Sequence, residues 1–162
     1  MKNILVYVNK NKNIPNEAIH KLTSRIEKCG RFSRVCYNTD TNIDFSDMPS
    51  LAVIEDGAFS DSNLGGTLDF SPLKELQYIG DEAFTYNAID SVNITGLENL
   101  EYIGEDAFSD NTLNGNVNIE NNPNLVYVGN DAFGDSYGTV SLINISNNPK
   151  LESINNYAFG ST

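Results

Sequence analysis

Carboxylates recur in pairs just ahead of an Ala-Phe dipeptide. Glu55-Asp56, Asp81-Glu82 and Glu105-Asp106 are followed by Asn130-Asp131 and, last, by Asn155-Asn156. Such acids can cap backbone N–H groups, hold calcium, or attract a cationic partner. Calcium is disfavoured, because Gly65-Gly66 and the scattered Asp and Asn residues do not make the ligand loop that this ion needs. One carboxylate ahead of each Ala-Phe turn would suffice to cap a short helical turn. Two per turn, like charge over like charge, exceed that need. Glu55, Asp56, Asp81, Glu82, Glu105, Asp106 and Asp131 are therefore the candidate partner-binding stripe. Enzymatic chemistry lacks material. His20 is the only histidine, it has no Ser or Cys at a telling spacing, and a His20–Cys29 dyad is not a credible nucleophile pair. Neither a phosphate-binding loop nor a zinc spacing is present, so the expectation is no catalytic residue, no metal and no cofactor.

Two further columns carry side chains suited to contact. Tyr78, Tyr102 and Tyr127 hold one position in three consecutive copies of a repeat. Tyrosine offers rigid, amphipathic area at low entropic cost, so this column is a second candidate binding feature, and it would also pack well on itself. Asp44, Asp69, Asn93, Asn118 and Asn144 lie between apolar neighbours and should face solvent. Stacked amides there can hydrogen-bond along a ladder, which favours a structural role.

The positioning elements follow from the repeat itself. Leu-x-x-Ile-x-x-x-Ala-Phe begins at Leu51, Leu76, Leu100, Leu125 (with Val128 in the Ile place) and Leu151, and the phenylalanines lie 24 to 26 residues apart. Ile43-Asp44-Phe45, Leu68-Asp69-Phe70, Val92-Asn93-Ile94, Val117-Asn118-Ile119 and Ile143-Asn144-Ile145 ride in the same register. Their apolar–polar–apolar alternation reads as a short half-buried strand. Turn-rich pieces such as Asn121-Asn122-Pro123 and Asn147-Asn148-Pro149 come between. Each repeat thus predicts a strand, a turn, a second extended piece and a helical turn bearing Ala-Phe. None can bury its apolar edge alone, whereas stacking buries Leu, Ile, Ala and Phe in continuous ladders, with successive copies roughly 4.7–5 Å apart. The Ile-Gly-Asp-Glu-Ala-Phe copy at 79–84 and its relatives resemble the BspA-type leucine-rich repeat over residues 43–159. That resemblance implies a solenoid used for protein–protein contact or surface adhesion, with no catalytic residues to carry over. The fold expected is therefore α+β: a short leucine-rich-repeat solenoid of about five repeats behind an N-terminal strand–helix–strand cap.

The cap is residues 1–41, ahead of the solenoid at 42–162. Ile4–Val8 reads as a strand and Phe32–Tyr37 as another. Asn16 as N-cap and Gly30 as stop bracket a helix with Ala18, Ile19, Leu22 and Ile26 on one face. Charge divides at the same place. Residues 1–41 hold eight Lys/Arg against three acids, whereas the rest holds only Lys74 and Lys150 against nineteen acids. The cap thereby offers a basic docking surface of Lys21, Arg25, Lys28, Arg31 and Arg34. The acidic solenoid is unsuited to direct contact with nucleic acid, whose phosphates need Lys and Arg.

Cys29 and Cys36 fit neither a metal site nor a disulfide scaffold. The apolar run Ile4–Val8 is too short for a secretory segment, and nothing approaches a membrane span. The location expected is cytoplasmic (host cytoplasm for a phage-encoded chain). The partner expected is a protein with a basic surface. A sharper form makes that partner a nucleic-acid-binding enzyme, blocked by carboxylates standing in for phosphates, as small phage inhibitors of host defence nucleases, anti-CRISPR proteins among them, do. Adhesion is the alternative. The last repeat, with only three residues after Phe159, is expected to pair with a second copy or a partner.

Overall fold

The computed structural model describes residues 4–9, 32–38, 43–46 and 48–160. β1 (Ile4–Asn9) and β2 (Phe32–Asn38) form a two-stranded parallel pair, aligned Leu5 to Arg34 through Asn9 to Asn38. The two strands fall on the segments expected to form them, Ile4–Val8 and Phe32–Tyr37. The helix expected between them lies outside the described residues, as do His20, Cys29, Lys21, Arg25, Lys28 and Arg31. Of the basic cap set, only Arg34 is placed, on β2.

From Ile43 onward the chain winds as a β-solenoid of about four turns, and the described residues contain no helix. One parallel sheet stacks β4 (Gly65–Asp69), β6 (Ala88–Thr95), β8 (Asn116–Glu120) and β10 (Leu142–Ser146) in spatial order β10-β8-β6-β4. A second stacks five two-residue strands: β3 (Val53–Ile54), β5 (Tyr78–Ile79), β7 (Tyr102–Ile103), β9 (Tyr127–Val128) and β11 (Ser153–Ile154). The register is the one that the repeats require: Val92 lies beside Val117, Asn93 beside Asn118, and Ile143 beside Val117 on the next turn. Ile43-Asp44-Phe45 departs from expectation. Ile43 and Phe45 are buried, but the segment is not a strand of the described sheet, whose edge is β4.

The core between the sheets consists of ladders. Phe59, Phe84, Phe108, Phe133 and Phe159 stack face to face with centroids 5.0–5.1 Å apart. Phe70 meets Phe84 and Phe108 edge-on at 5.5 and 5.8 Å. Leu76, Leu100 and Leu125, with Ile79, Ile103 and Val128, are fully buried rungs of the same stack. Spacing near 5 Å is the separation of neighbouring strands, so the parallel ladders dictate the aromatic spacing. Close approach is secured by glycine. A Cβ on Gly104 would stand 2.5 Å from the Asp81 amide nitrogen and from the Gly80 carbonyl. Any side chain there would wedge two turns apart.

The Ala-Phe segment is a turn of another kind from the one expected. The residue before each alanine is left-handed: Gly57, Glu82, Asp106, Asp131 and Tyr157 have φ of 62, 54, 52, 47 and 56°. This backbone cannot continue into a helix. Its N–H groups are already engaged by the next turn: Glu82 donates to the Glu105 carbonyl at 2.8 Å, and Asp106 to the Asn130 carbonyl at 2.9 Å. Helix capping is therefore not what the carboxylates do.

Candidate interaction surface

The strand register regroups the acidic residues. Val53, Tyr78, Tyr102, Tyr127 and Ser153 are aligned neighbours in the short-strand sheet. Counting on from them, Asp56, Asp81, Glu105, Asn130 and Asn156 make one column, and Gly57, Glu82, Asp106, Asp131 and Tyr157 the next. Glu55 falls instead with Gly80, Gly104, Gly129 and Asn155, one place out of the stripe read from the sequence.

The first of these columns is joined to the tyrosines. The Asp56 carboxylate accepts from the Asp81 N–H at 3.0 Å and from the Tyr78 hydroxyl at 3.1 Å. One turn on, Asp81 accepts from the Glu105 N–H at 2.9 Å and from the Tyr102 hydroxyl at 3.2 Å. Glu105, a methylene longer, accepts from the Asn130 side chain at 3.1 Å. The tyrosine rings stack at 4.9 and 4.8 Å, nearly parallel. These two candidate features thus form a single structural spine, with acids and tyrosines spent largely on one another.

Burial, the hydrogen bond to Asp56 and the nearby carboxylates push the Tyr78 hydroxyl up to about 12. Burial, the Asp81 charge and the hydrogen bond to Asp81 push Tyr102 up as well. A tyrosine whose folded pKa lies above its unfolded value adds stability below about pH 10, and this is lost as pH rises through the folded value. Asp56→Asn keeps an acceptor oxygen but removes the charge. It is expected to return Tyr78 towards the ordinary tyrosine range, read as an earlier step in an alkaline titration of tyrosinate absorbance.

The strand-centre column is structural too. Asn93 donates to Asp69 at 2.8 Å, and Asn144 to Glu120 at 2.7 Å. Burial opposes ionisation of Asp69, but donors from Ser71 and Asn93, together with the Lys74 charge, hold its carboxyl below the usual value.

Two features escaped the sequence reading. Asn111 is fully buried; its amide donates to the carbonyls of Phe84, Phe108 and Ser109, while its oxygen accepts from the Ile89 N–H at 3.0 Å. Asn87 makes the equivalent set one turn earlier, reaching Phe59, Phe84 and Thr85. The available signal was an asparagine three places after Phe in two successive copies. The second feature is a corner beside the spine, with Glu82 exposed and Asp106 and Asp131 half-buried. Glu82, Asp106 and Asp131 stack there with like charges. Burial, the Asp131 charge and the neighbouring Glu82 and Glu105 outweigh a Ser109 hydrogen bond and raise the Asp106 carboxyl above its ordinary value. Tyr157, next in this column, is 76% exposed; Tyr86 and Tyr137 are 61 and 78% exposed, and the Tyr137 hydroxyl donates to Asp110 at 2.9 Å.

Among the described residues no group of three or more His, Cys, Asp or Glu side chains is placed to hold a metal ion, and no helix is long and apolar enough to cross a membrane. A family model for the BspA-type leucine-rich repeat region matches residues 30–162, with six copies. The chain belongs to the BspA-type leucine-rich repeat family. The match starts within the segment that composition set apart as a cap and counts one copy more than the Ala-Phe pattern does. No curated protein and no solved structure matches the chain. BspA-type repeat solenoids are typically binding scaffolds for protein–protein contact or adhesion.

Proposed function

We propose that the solenoid is a protein-interaction module whose acidic turns dock on a basic protein surface. The observation that carries this is the like-charged column Glu82–Asp106–Asp131. Unlike Asp56 and Asp81, whose carboxylates tie one turn to the next, this column sets charge against charge in left-handed backbone where glycine would be less strained. A cationic partner would relieve that repulsion. The exposed rings of Tyr86, Tyr137 and Tyr157 would supply further contact area. The sharper form makes the partner a cytoplasmic nucleic-acid-binding enzyme, as in phage anti-defence proteins of the anti-CRISPR type, with the carboxylates occupying its phosphate contacts. The composition supports it: nineteen acids against two lysines after residue 41.

The test is capture of partners from lysate at low and high salt with the wild-type chain and with a Glu82→Gln, Asp106→Asn, Asp131→Asn variant. Close acid–base pairs each contribute on the order of tenfold in affinity, so the variant is expected to lose the salt-sensitive partner and keep its fold. Asp81 is left intact because its carboxylate holds Glu105 and Tyr102. Competition by DNA or RNA for that partner would support the sharper form. Family membership favours a second reading, adhesion or scaffolding, for which retention in high salt and indifference to the three substitutions are expected.

A further inference from the structure

Asp61, Tyr86, Asp110 and Asp135 each lie two places after a ladder phenylalanine, and all four are left-handed, with φ of 49, 55, 52 and 48°. Aspartate tolerates this backbone, whereas a bulky aromatic residue is an outlier there. Tyr86 is the odd member of its column. Its ring is not spent on packing, for it is 61% exposed and stacks on no other ring among the described residues. Backbone held against its preference in this way recurs at ligand clamps.

A second exposed tyrosine stands on the other side of Asp110. The Tyr86 N–H donates to the Ser109 carbonyl at 3.4 Å, and the Tyr137 N–H donates to the Asn111 carbonyl at 2.8 Å. Asp110, the residue between those two carbonyls, is thereby bracketed by one tyrosine from the turn before and one from the turn after. The Tyr137 hydroxyl reaches back to Asp110 Oδ1 at 2.9 Å. Tyr137 is 78% exposed, and its ring too is unstacked among the described residues. The hydrogen bond to Asp110, then the Asp110 charge, raise the Tyr137 hydroxyl above its ordinary value, with Tyr86 and Asp135 among the smaller contributors.

We propose that the Tyr86–Asp110–Tyr137 bracket seats an arginine side chain of a basic protein partner. This rests on the docking proposed for the solenoid and names the side chain that is read. A guanidinium is planar, offers a fork of N–H donors to a carboxylate and stacks on aromatic faces, whereas a lysine ammonium is a strongly hydrated point charge. The bracket meets both needs. It has two exposed rings and, between their backbone positions, a carboxylate whose Oδ2 has no partner among the described residues. Charge selects the occupant too, because Asp61 and Asp135 extend the same column and exclude an anion. The two lysines of the solenoid are engaged elsewhere, Lys74 with the Gly96 carbonyl at 3.3 Å and Lys150 with Asn124 at 2.6 Å. The bracket is distinct from the Glu82–Asp106–Asp131 column, which lies four places earlier in each turn.

NMR titration of the full chain at low salt, with blocked tri-arginine and with blocked tri-lysine, tests the proposal. Any acidic protein attracts both peptides, so the quantity read is the preference between them. The arginine peptide is expected to bind about threefold tighter, the usual scale of an exposed cation–π contact, and to shift the ring signals of Tyr86 and Tyr137. Tyr86→Asn and Tyr137→Leu should each abolish that preference. Tyr86→Asn separates contact from folding, because asparagine is at ease at positive φ and thermal stability should equal or exceed that of wild type. Asp110→Asn should weaken the arginine peptide about threefold. The Glu82→Gln, Asp106→Asn, Asp131→Asn variant should bind both peptides more weakly yet keep the preference, so failure of the corner as a docking surface is distinguishable from failure of the bracket. Equal affinity of the wild-type chain for the two peptides overturns the proposal. So does an arginine preference that survives Tyr86→Asn and Tyr137→Leu.

Discussion

Phe108→Ala is expected to lower stability by about 3–5 kcal/mol, the usual cost of emptying a buried phenylalanine site. Phe108 stacks on Phe84 at 5.1 Å and on Phe133 at 5.0 Å, and receives Phe70 edge-on at 5.8 Å. Its loss leaves a void in the middle of the stack, and the flanking turns cannot close it. They are held apart at strand spacing by backbone bonds such as Phe108 N–H to the Ala132 carbonyl at 2.7 Å and Phe84 N–H to the Ala107 carbonyl at 2.8 Å. Phe159→Ala is the internal comparison. That ring stacks on Phe133 and is only partly buried, so its replacement should cost less than half as much. Urea unfolding of the two variants beside wild type measures the difference. Equal losses would mean that the ladder is not the core of the fold.

Asn111→Ala is expected to be nearly as damaging, although it removes little apolar area. Three buried backbone groups depend on this side chain, the carbonyls of Phe108 and Ser109 and the N–H of Ile89, and it shares the Phe84 carbonyl with Asn87. A buried polar group left without a partner costs about 1–3 kcal/mol. With some relaxation and water entry, a total of about 3 kcal/mol follows. Asn111→Ser should recover part of the loss, since Ser136, three places after Phe133, donates to the carbonyls of Phe133 and Gly134 at 3.2 and 3.3 Å. Equilibrium unfolding checks the order wild type, Ser, Ala. A serine variant no better than alanine would show that the bonds to the two nearest carbonyls matter little beside the span to Phe84 and Ile89.

These two residues also mark how far the sequence could be read. Phe108 was legible because Leu, Ile, Ala and Phe recur at fixed offsets in five copies, and a ladder needs identity at every rung. The strand register was legible for the same reason: Val92-Asn93-Ile94 and Val117-Asn118-Ile119 can align in only one way that keeps both apolar faces inside. Asn111 was not legible, because its role belongs to a turn and not to a chain-long ladder, and serine serves at Ser136. The Ala-Phe turn was misread for a physical reason. Acids ahead of Ala-Phe suit the start of a helix, yet Asp is also among the few side chains tolerated at positive φ, where Asp106 and Asp131 sit at 52 and 47°. Five residues are too few for periodicity to separate the two. The same ambiguity put Glu55 in the wrong column, since only the strand pairing reveals that it aligns with Gly80, Gly104 and Gly129. Nor could composition separate acids tied into the spine from those on the corner beside it, because that division depends on whether a tyrosine hydroxyl and the next turn's N–H reach the carboxylate.

All strand pairings in the solenoid join consecutive turns, and none skips one. Mechanically this makes the solenoid a linear lattice. Force or heat applied to it has no central nucleus to break, only a row of similar junctions between turns. Damage at one junction stays local until the two segments on either side are each too short to persist. An internal turn could be duplicated with a nearly constant gain in stability, because the new turn meets neighbours like those it already has. Length is then a quantity that evolution can adjust in whole turns, lengthening or shortening the acidic corner without redesigning the core.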